Sequence, residues 1–226
     1  MTLFEDLKGA FIEHIQMLEK VATSEKERGG EGVAVMVRDV RTPDQLGDLD
    51  GLIIPGGEST TLSVFLKQNG FEDALRAWIR NPVKPGAVWG TCAGLILLSD
   101  ELLGQKKGGQ ASLGGLSVLC CRNAYGRQSS SFEAPVKLLD PALLIGGEAG
   151  QPEDQFHGIF IRAPGIVEVR DPDHTKILAT LVDGDKSVVA VQQGHIMATT
   201  FHPELTNDSR WHRYFISLVS SIKYPN

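Results

Sequence analysis

Three short, almost wholly apolar runs constrain this chain more than any other feature. They are residues 33–37 (VAVMV), Gly51–Ile54 (GLII) and residues 87–90 (AVWG). Each has the length of a strand, and none alternates with polar residues, so each expects burial on both faces. Helical signals separate them. Phe11, Ile15, Leu18 and Ala22 recur at helical spacing, which predicts an amphipathic helix over residues 10–22. The polar, Gly-rich residues 23–32 read as a solvated loop. Pro55, Gly56 and Gly57 stop the second run, and a helix is expected from Ser59 to a stop at Asn69 and Gly70. Residues 71–80 and 93–103 read as two further helices. Buried strands alternating with helices predict a parallel sheet covered on both faces.

The second half changes character. Residues 117–122, 132–139, 158–162, 177–182, 187–192 and 195–200 all read as strands. Asp183 with Gly184, and Gln193 with Gly194, are tight-turn signals between the last three. Residues 138–154 read as a surface loop. A closing helix is expected to be capped near Asn207 or Asp208, with Trp211, Phe215, Leu218, Val219 and Ile222 on its apolar face. The expected fold is α/β, a three-layer open mixed sheet, mostly parallel, with helices on both faces and one domain over residues 1–226.

Composition narrows the function classes. Hydrophobic residues at 42% and charged residues at 22% are ordinary for a folded soluble chain and exclude a disordered one. A net charge of −6 argues against nucleic acid and anionic membranes as partners, since both demand a basic footprint. Glu5 and Asp6 interrupt any leader-like apolar start, and no apolar stretch is long enough for a membrane span. The three cysteines, Cys92, Cys120 and Cys121, form neither a disulfide framework nor a zinc spacing, so a reducing cytoplasm is expected.

Chemistry enters at Gly90-Thr91-Cys92-Ala93-Gly94, between a predicted strand and a predicted helix. A Gly-x-nucleophile-x-Gly turn in that position is a nucleophile elbow. The helix start that follows favours a thiolate and offers N–H groups to an oxyanion. The other reading of Cys92 is a buried structural thiol, which is the preferred reading of Cys120 and Cys121. A thiol enzyme needs a base, and the base an orienting partner. His202 and Glu204, in Phe201-His202-Pro203-Glu204, are two residues apart and share a face if the backbone is extended, as Pro203 favours. His14, His157, His174, His195 and His212 have no such context and read as surface or packing residues. Pro55-Gly56-Gly57-Glu58-Ser59 follows a strand at the edge where open α/β folds bind ligands, although an ordinary turn with Ser59 as N-cap explains it equally well.

Together, residues 55–61 (PGGESTT), 90–96 (GTCAGLI), 160–164 (FIRAP) and 201–206 (FHPELT) resemble class I glutamine amidotransferases. PGGEST, FIRAP, residues 131–134 (SFEA) and the stretch with Arg122, Asn123, Gly126, Arg127 and Gln128 narrow the resemblance to the glutaminase-subunit family of pyridoxal 5′-phosphate synthases. It runs from about Gly9 to Phe215. The resemblance implies that Cys92 attacks the carboxamide of L-glutamine, that His202 moves the proton and that Glu204 holds the imidazole. It implies an oxyanion hole from the N–H groups of Gly57 and Ala93. Glutamine binding falls to Gly57, Glu58, Ser59, Arg122, Ile161 and Arg162, and the arginines also suit a free amino acid's carboxylate. Ammonia would pass to a separate synthase subunit, with no metal or cofactor required.

The chain departs from that family at its start. Lys8 stands where a glutamine is usual, and Glu5 and Asp6 fall where a central strand is buried, so the first strand is expected to be absent or displaced. The alternatives are a glutaminase subunit of another biosynthetic amidotransferase, a cysteine hydrolase or peptidase on the same general fold, and a catalytically weak regulatory subunit.

Overall fold

Residues 2–3, 11–27, 35–57, 59–104, 112–122, 124–125, 131–147, 150 and 152–224 are described by a computed structural model. In chain order the elements are β1 (Thr2–Leu3), α1 (Phe11–Glu27), β2 (Arg38–Asp39), β3 (Gly51–Ile54), α2 (Ser59–Leu66), α3 (Phe71–Ile79), β4 (Ala87–Thr91), α4 (Ala93–Leu98) and β5 (Ser99–Leu102). There follow β6 (Leu116–Cys121), β7 (Ser131–Leu138), β8 (Gln155–Ile161), β9 (Gly165–Val169), β10 (Thr175–Leu181), β11 (Val188–Gln193), β12 (Ile196–Thr199) and α5 (Arg210–Lys223).

The main sheet has the order β2-β1-β3-β4-β12-β11-β10-β7-β8. From β2 to β12 the neighbours are parallel, and from β12 to β8 they are antiparallel. A second sheet, β5-β6-β9, is also mixed. The apolar runs sit at the centre for the expected reason. All five residues of β4 are buried, and successive side chains enter opposite cores. Val88 joins Leu62, Leu75, Leu95 and Val118 on one face, whereas Trp89 joins Leu18, Trp211, Phe215 and Phe160 on the other. Helices α2, α3 and α4 cover the first face; α1 and α5 cover the second.

Several elements differ from expectation. A first strand is present: Thr2 and Leu3 pair in parallel with both β2 and β3. Glu5, Asp6 and Lys8 lie outside the described residues. Helix α1 continues through residues 23–27, where the sequence suggested loop. The Thr23 and Ser24 hydroxyls bond back to the carbonyls of Glu19 and Lys20, so these polar residues are absorbed into the helix. Of the run at 33–37, residues 35–37 are not strand. The strand falls instead on Arg38 and Asp39 at the sheet edge, where only one neighbour is available. The helix expected to reach residue 103 ends at Leu98, because Ser99 turns extended and starts β5, which pairs with β6. Strand β9 carried no recognised signal; Ser209 occupies the N-cap position of α5 without a side-chain cap, and it is Asp208, as expected, whose Oδ1 accepts the Arg210 N–H at the helix start.

The connection expected as a surface loop between β7 and β8 is partly anchored inside. Leu143 is buried in a short 3₁₀ turn, and the fully buried Arg210 guanidinium donates to the carbonyls of Leu143, Glu153 and Gln155 while paired with Asp208. No helix among the described residues is long and apolar enough to cross a membrane.

Candidate active site

Strand β4 ends at Thr91 and helix α4 begins at Ala93, leaving Cys92 alone to make the turn at φ 49° and ψ −103°. A side chain at positive φ costs on the order of 1–3 kcal/mol and persists only where its surroundings enforce it. The two flanking glycines are part of that enforcement. A Cβ on Gly94 would sit 2.2 Å from the Ile54 carbonyl oxygen, and one on Gly90 would sit 2.5 Å from the Gly94 carbonyl carbon. The elbow is also tied across the sheet by the Cys92 N–H, which donates to the Thr199 carbonyl at 2.9 Å. The thiol is buried, with Sγ 3.9 Å from the Ile161 carbonyl oxygen.

His202 follows β12, and its N–H donates to the Ile159 carbonyl of β8 at 2.9 Å. The next three residues, Pro203–Leu205, form a 3₁₀ turn. The extended backbone expected between His202 and Glu204 is therefore not what brings them together. The turn curls Glu204 back, so that its Oε1 lies 2.7 Å from His202 Nδ1, with both side chains nearly or fully buried. Gly56 stands against both candidate groups: a Cβ there would lie 2.3 Å from His202 Cε1 and 3.1 Å from the Cys92 Cβ. Burial opposes charge on His202, but hydrogen bonding to Cys92 and Glu204 outweighs it and raises the imidazole to about 10. The pair is thus arranged to hold a proton on His202 beside the thiol.

Behind Glu204 stand two histidines whose sequence context suggests only surface or packing roles. His14 of α1 and His212 of α5 are fully buried. His14 Nε2 is 3.3 Å from Glu204 Oε2, and His14 Nδ1 is 2.9 Å from His212 Nε2. A signal for their burial exists: His14 lies three residues after Phe11 and four before Leu18, and His212 three before Phe215, so both share the buried stripe of their helix.

The remaining expected site residues are distributed around the elbow. Gly57 follows β3, half-buried, at φ 156°, which glycine alone adopts readily. Glu58 is outside the described residues, and Ser59 opens α2. Ala93 is buried at the start of α4. Ile161 ends β8 with its carbonyl toward the thiol, and the exposed Arg162 follows at φ 45°. Arg122 is half-buried just past β6, whose last residue pairs with Gly165 of β9. Neither arginine forms a hydrogen bond or ion pair with another described residue. Of the other cysteines, Cys120 is fully buried, which pushes its thiol up to about 12. It is not the thiol beside a base.

Comparison with known proteins places these features in context. The model of the SNO glutamine amidotransferase family matches residues 5–221. The chain is 38% identical over 231 residues to a probable pyridoxal 5′-phosphate synthase subunit pdx2 of Dictyostelium discoideum, covering 94% of this chain and 90% of that protein. It is 41% identical over 215 residues to the pyridoxal 5′-phosphate synthase subunit PdxT of Niallia circulans, covering 94% of each. Among solved structures, a glutamine amidotransferase crystal structure superposes with a TM-score of 0.75 at 33% identity, covering 97% of this chain and 98% of that one. A putative GMP synthase subunit from Thermoplasma acidophilum, at 16% identity and a TM-score of 0.60, covers 98% of this chain and 94% of its own, and shares the fold.

Proposed function

The chain belongs to the SNO glutamine amidotransferase family, and from that premise we propose that it is the glutaminase subunit of a pyridoxal 5′-phosphate synthase. The observation that carries the reading is Cys92, held at φ 49° beside His202, whose Nδ1 is bonded to Glu204 at 2.7 Å. In the proposed reaction the Cys92 thiolate attacks the carboxamide carbon of L-glutamine. The carbonyl oxygen takes up the negative charge, which the N–H groups of Gly57 and Ala93 stabilise. His202, protonated as the thiol ionises, gives its proton to the leaving nitrogen, and the C–N bond breaks to release ammonia. Water then attacks the glutamyl thioester. His202 takes the water's proton and returns it to the departing sulfur, so glutamate leaves and the thiol is restored. Glu204 holds the Nδ1–H and stabilises the imidazolium.

Arg122 and Arg162 are offered as the partners of the substrate's α-carboxylate, which suits guanidinium groups with no ion pair to another described residue. The backbone around Gly57, Glu58, Ser59 and Ile161 would hold the rest of the amino acid. Ammonia passes to the synthase subunit, and the hydrolysis requires no metal or cofactor. Three free thiols suit a reducing cytoplasm as the compartment. The test is Cys92→Ala in the complex with the synthase subunit. Glutamine hydrolysis should vanish while synthesis from added ammonium salt persists. Appreciable hydrolysis by that variant would overturn the assignment of the nucleophile.

A further inference from the structure

Glu204 has two carboxylate oxygens, and only one is accounted for by His202. Among the described residues Oε2 is buried without a hydrogen-bond partner, and His14 Nε2 stands 3.3 Å away. A buried carboxylate oxygen without a donor is costly, so the protonation of His14 matters. The network settles it. Between His14 Nδ1 and His212 Nε2, 2.9 Å apart, one nitrogen carries the hydrogen. If His14 Nδ1 carried it, a bare His14 Nε2 lone pair would face the carboxylate, and His212 Nδ1, which has no partner among the described residues, would be a buried orphan N–H. If His212 Nε2 carries it, a His14 Nε2–H stands 3.3 Å from Glu204 Oε2 and 3.5 Å from Thr91 Oγ1, and the orphan is only an acceptor. The second arrangement leaves fewer groups in conflict.

We infer that His14 is a positioning residue for the reaction: its Nε2–H secures the outer oxygen of Glu204, and His212 fixes the tautomer that makes this possible. The chain then runs from α5 through α1 to the 3₁₀ turn and on to His202. Long or poorly aligned contacts in a resting site commonly tighten in the reacting complex. Burial keeps His14 and His212 well below the ordinary imidazole value, which suits neutral rings in a fixed tautomer. Thr91, within the elbow, links the same ring to the turn after β3, since its Oγ1 accepts the Gly56 N–H at 2.9 Å.

This inference rests on the proposed roles of Cys92, His202 and Glu204, so its test carries their controls. Glutaminase kinetics are measured in the complex with the synthase subunit, and the far-downfield Nδ1 proton of His202 is followed by NMR. His14→Phe should lower kcat about tenfold with KM within twofold, the scale expected of a small misplacement, and should shift or broaden the His202 proton. His14→Gln, whose amide offers an acceptor and a donor much as the two ring nitrogens do, should restore most of both. A folded His14→Phe protein with unchanged kcat and unchanged His202 proton overturns the inference, as does His14→Gln no better than His14→Phe. Should His14→Phe not fold, His212→Phe decides: it frees the His14 tautomer, so kcat should fall severalfold and the His202 proton should broaden. An unaltered His212→Phe protein refutes the relay. Failure of the underlying triad would appear separately, as hydrolysis surviving in Cys92→Ala or His202→Asn.

Discussion

Gly56→Ala is the sharpest test of how closely the site is built. The added Cβ would lie 2.3 Å from His202 Cε1, 3.1 Å from its Nδ1 and 3.1 Å from the Cys92 Cβ. Ordinary carbon contacts begin near ~3.5 Å, so the imidazole must retreat by roughly 1 Å. The nitrogen beside the intruding methyl is the one bonded to Glu204 at 2.7 Å. A ring displaced by that much either stretches this bond beyond hydrogen-bonding range or withdraws from the thiol. Gly56 is not among the residues at positive φ, so alanine imposes little backbone strain and the clash is the main perturbation. A misplacement of 1 Å at a catalytic group costs on the order of 10²-fold in rate. The variant should therefore lose about two orders of magnitude in glutamine-dependent kcat at saturating synthase subunit. Ammonia-dependent synthesis, which bypasses this site, should persist. A Gly56→Ala enzyme within threefold of the parent would show that the His202–Cys92 contact has slack and that the proposed geometry is not what sets the rate.

His202→Asn should approach the inactivity of the thiol deletion, and Glu204→Gln should lose less, because in the proposed reaction the imidazole moves the proton while the carboxylate orients it; steady-state kinetics that reverse this order would count against the assignment. Gly94→Ala should cost about 1–3 kcal/mol or more of stability, since the obstructing atom at 2.2 Å is the Ile54 backbone oxygen, which cannot swing aside; a urea midpoint equal to the parent's would contradict it. Acid should destabilise the fold through His14 and His212. Both are held neutral below the ordinary value of 6.5, His212 down to about 3, so the unfolded chain takes up protons that the folded chain refuses. Stability should fall as pH drops from about 7 toward 3, with a slope of up to roughly 3 kcal/mol per pH unit for two histidines. Urea titrations at pH 7.5 and 5 that coincide would sink this reasoning. His202 acts with the opposite sign: its contribution is full below 6.5 and is lost as pH rises through about 10.

Much of this protein was legible in its residues. Uniformly apolar runs such as Gly51–Ile54 require burial on both faces, and only a central strand between helical layers provides it. The Gly-x-Cys-x-Gly spacing, set between a strand and a helix, placed Cys92 at a tight turn, because only small flanking residues admit it. Where the signal is local and short, partners elsewhere in the chain decide the outcome. Ser99 begins a strand and not another helical turn because β6 is there to pair with it, and residues 23–27 remain helical, with the Thr23 and Ser24 hydroxyls bonded to carbonyls one turn back. The conformation between His202 and Glu204 was likewise beyond the sequence: proline suggested extension, and the 3₁₀ turn emerges with β8 anchoring the His202 backbone from the other side.

The rest belongs to tertiary structure alone. Sequence determined that a thiol would stand at an elbow and that a histidine and a carboxylate would lie close together near the other end of the chain. Only packing decided what stands behind them. His14 and His212 are 198 residues apart and come into contact because the apolar stripes of α1 and α5 bury against the same face of the sheet. A histidine on an apolar stripe can be a packing residue or a hydrogen-bonding one. The choice depends on which polar atom the opposing element brings to it, and long-range juxtaposition of that kind is not encoded in any local pattern.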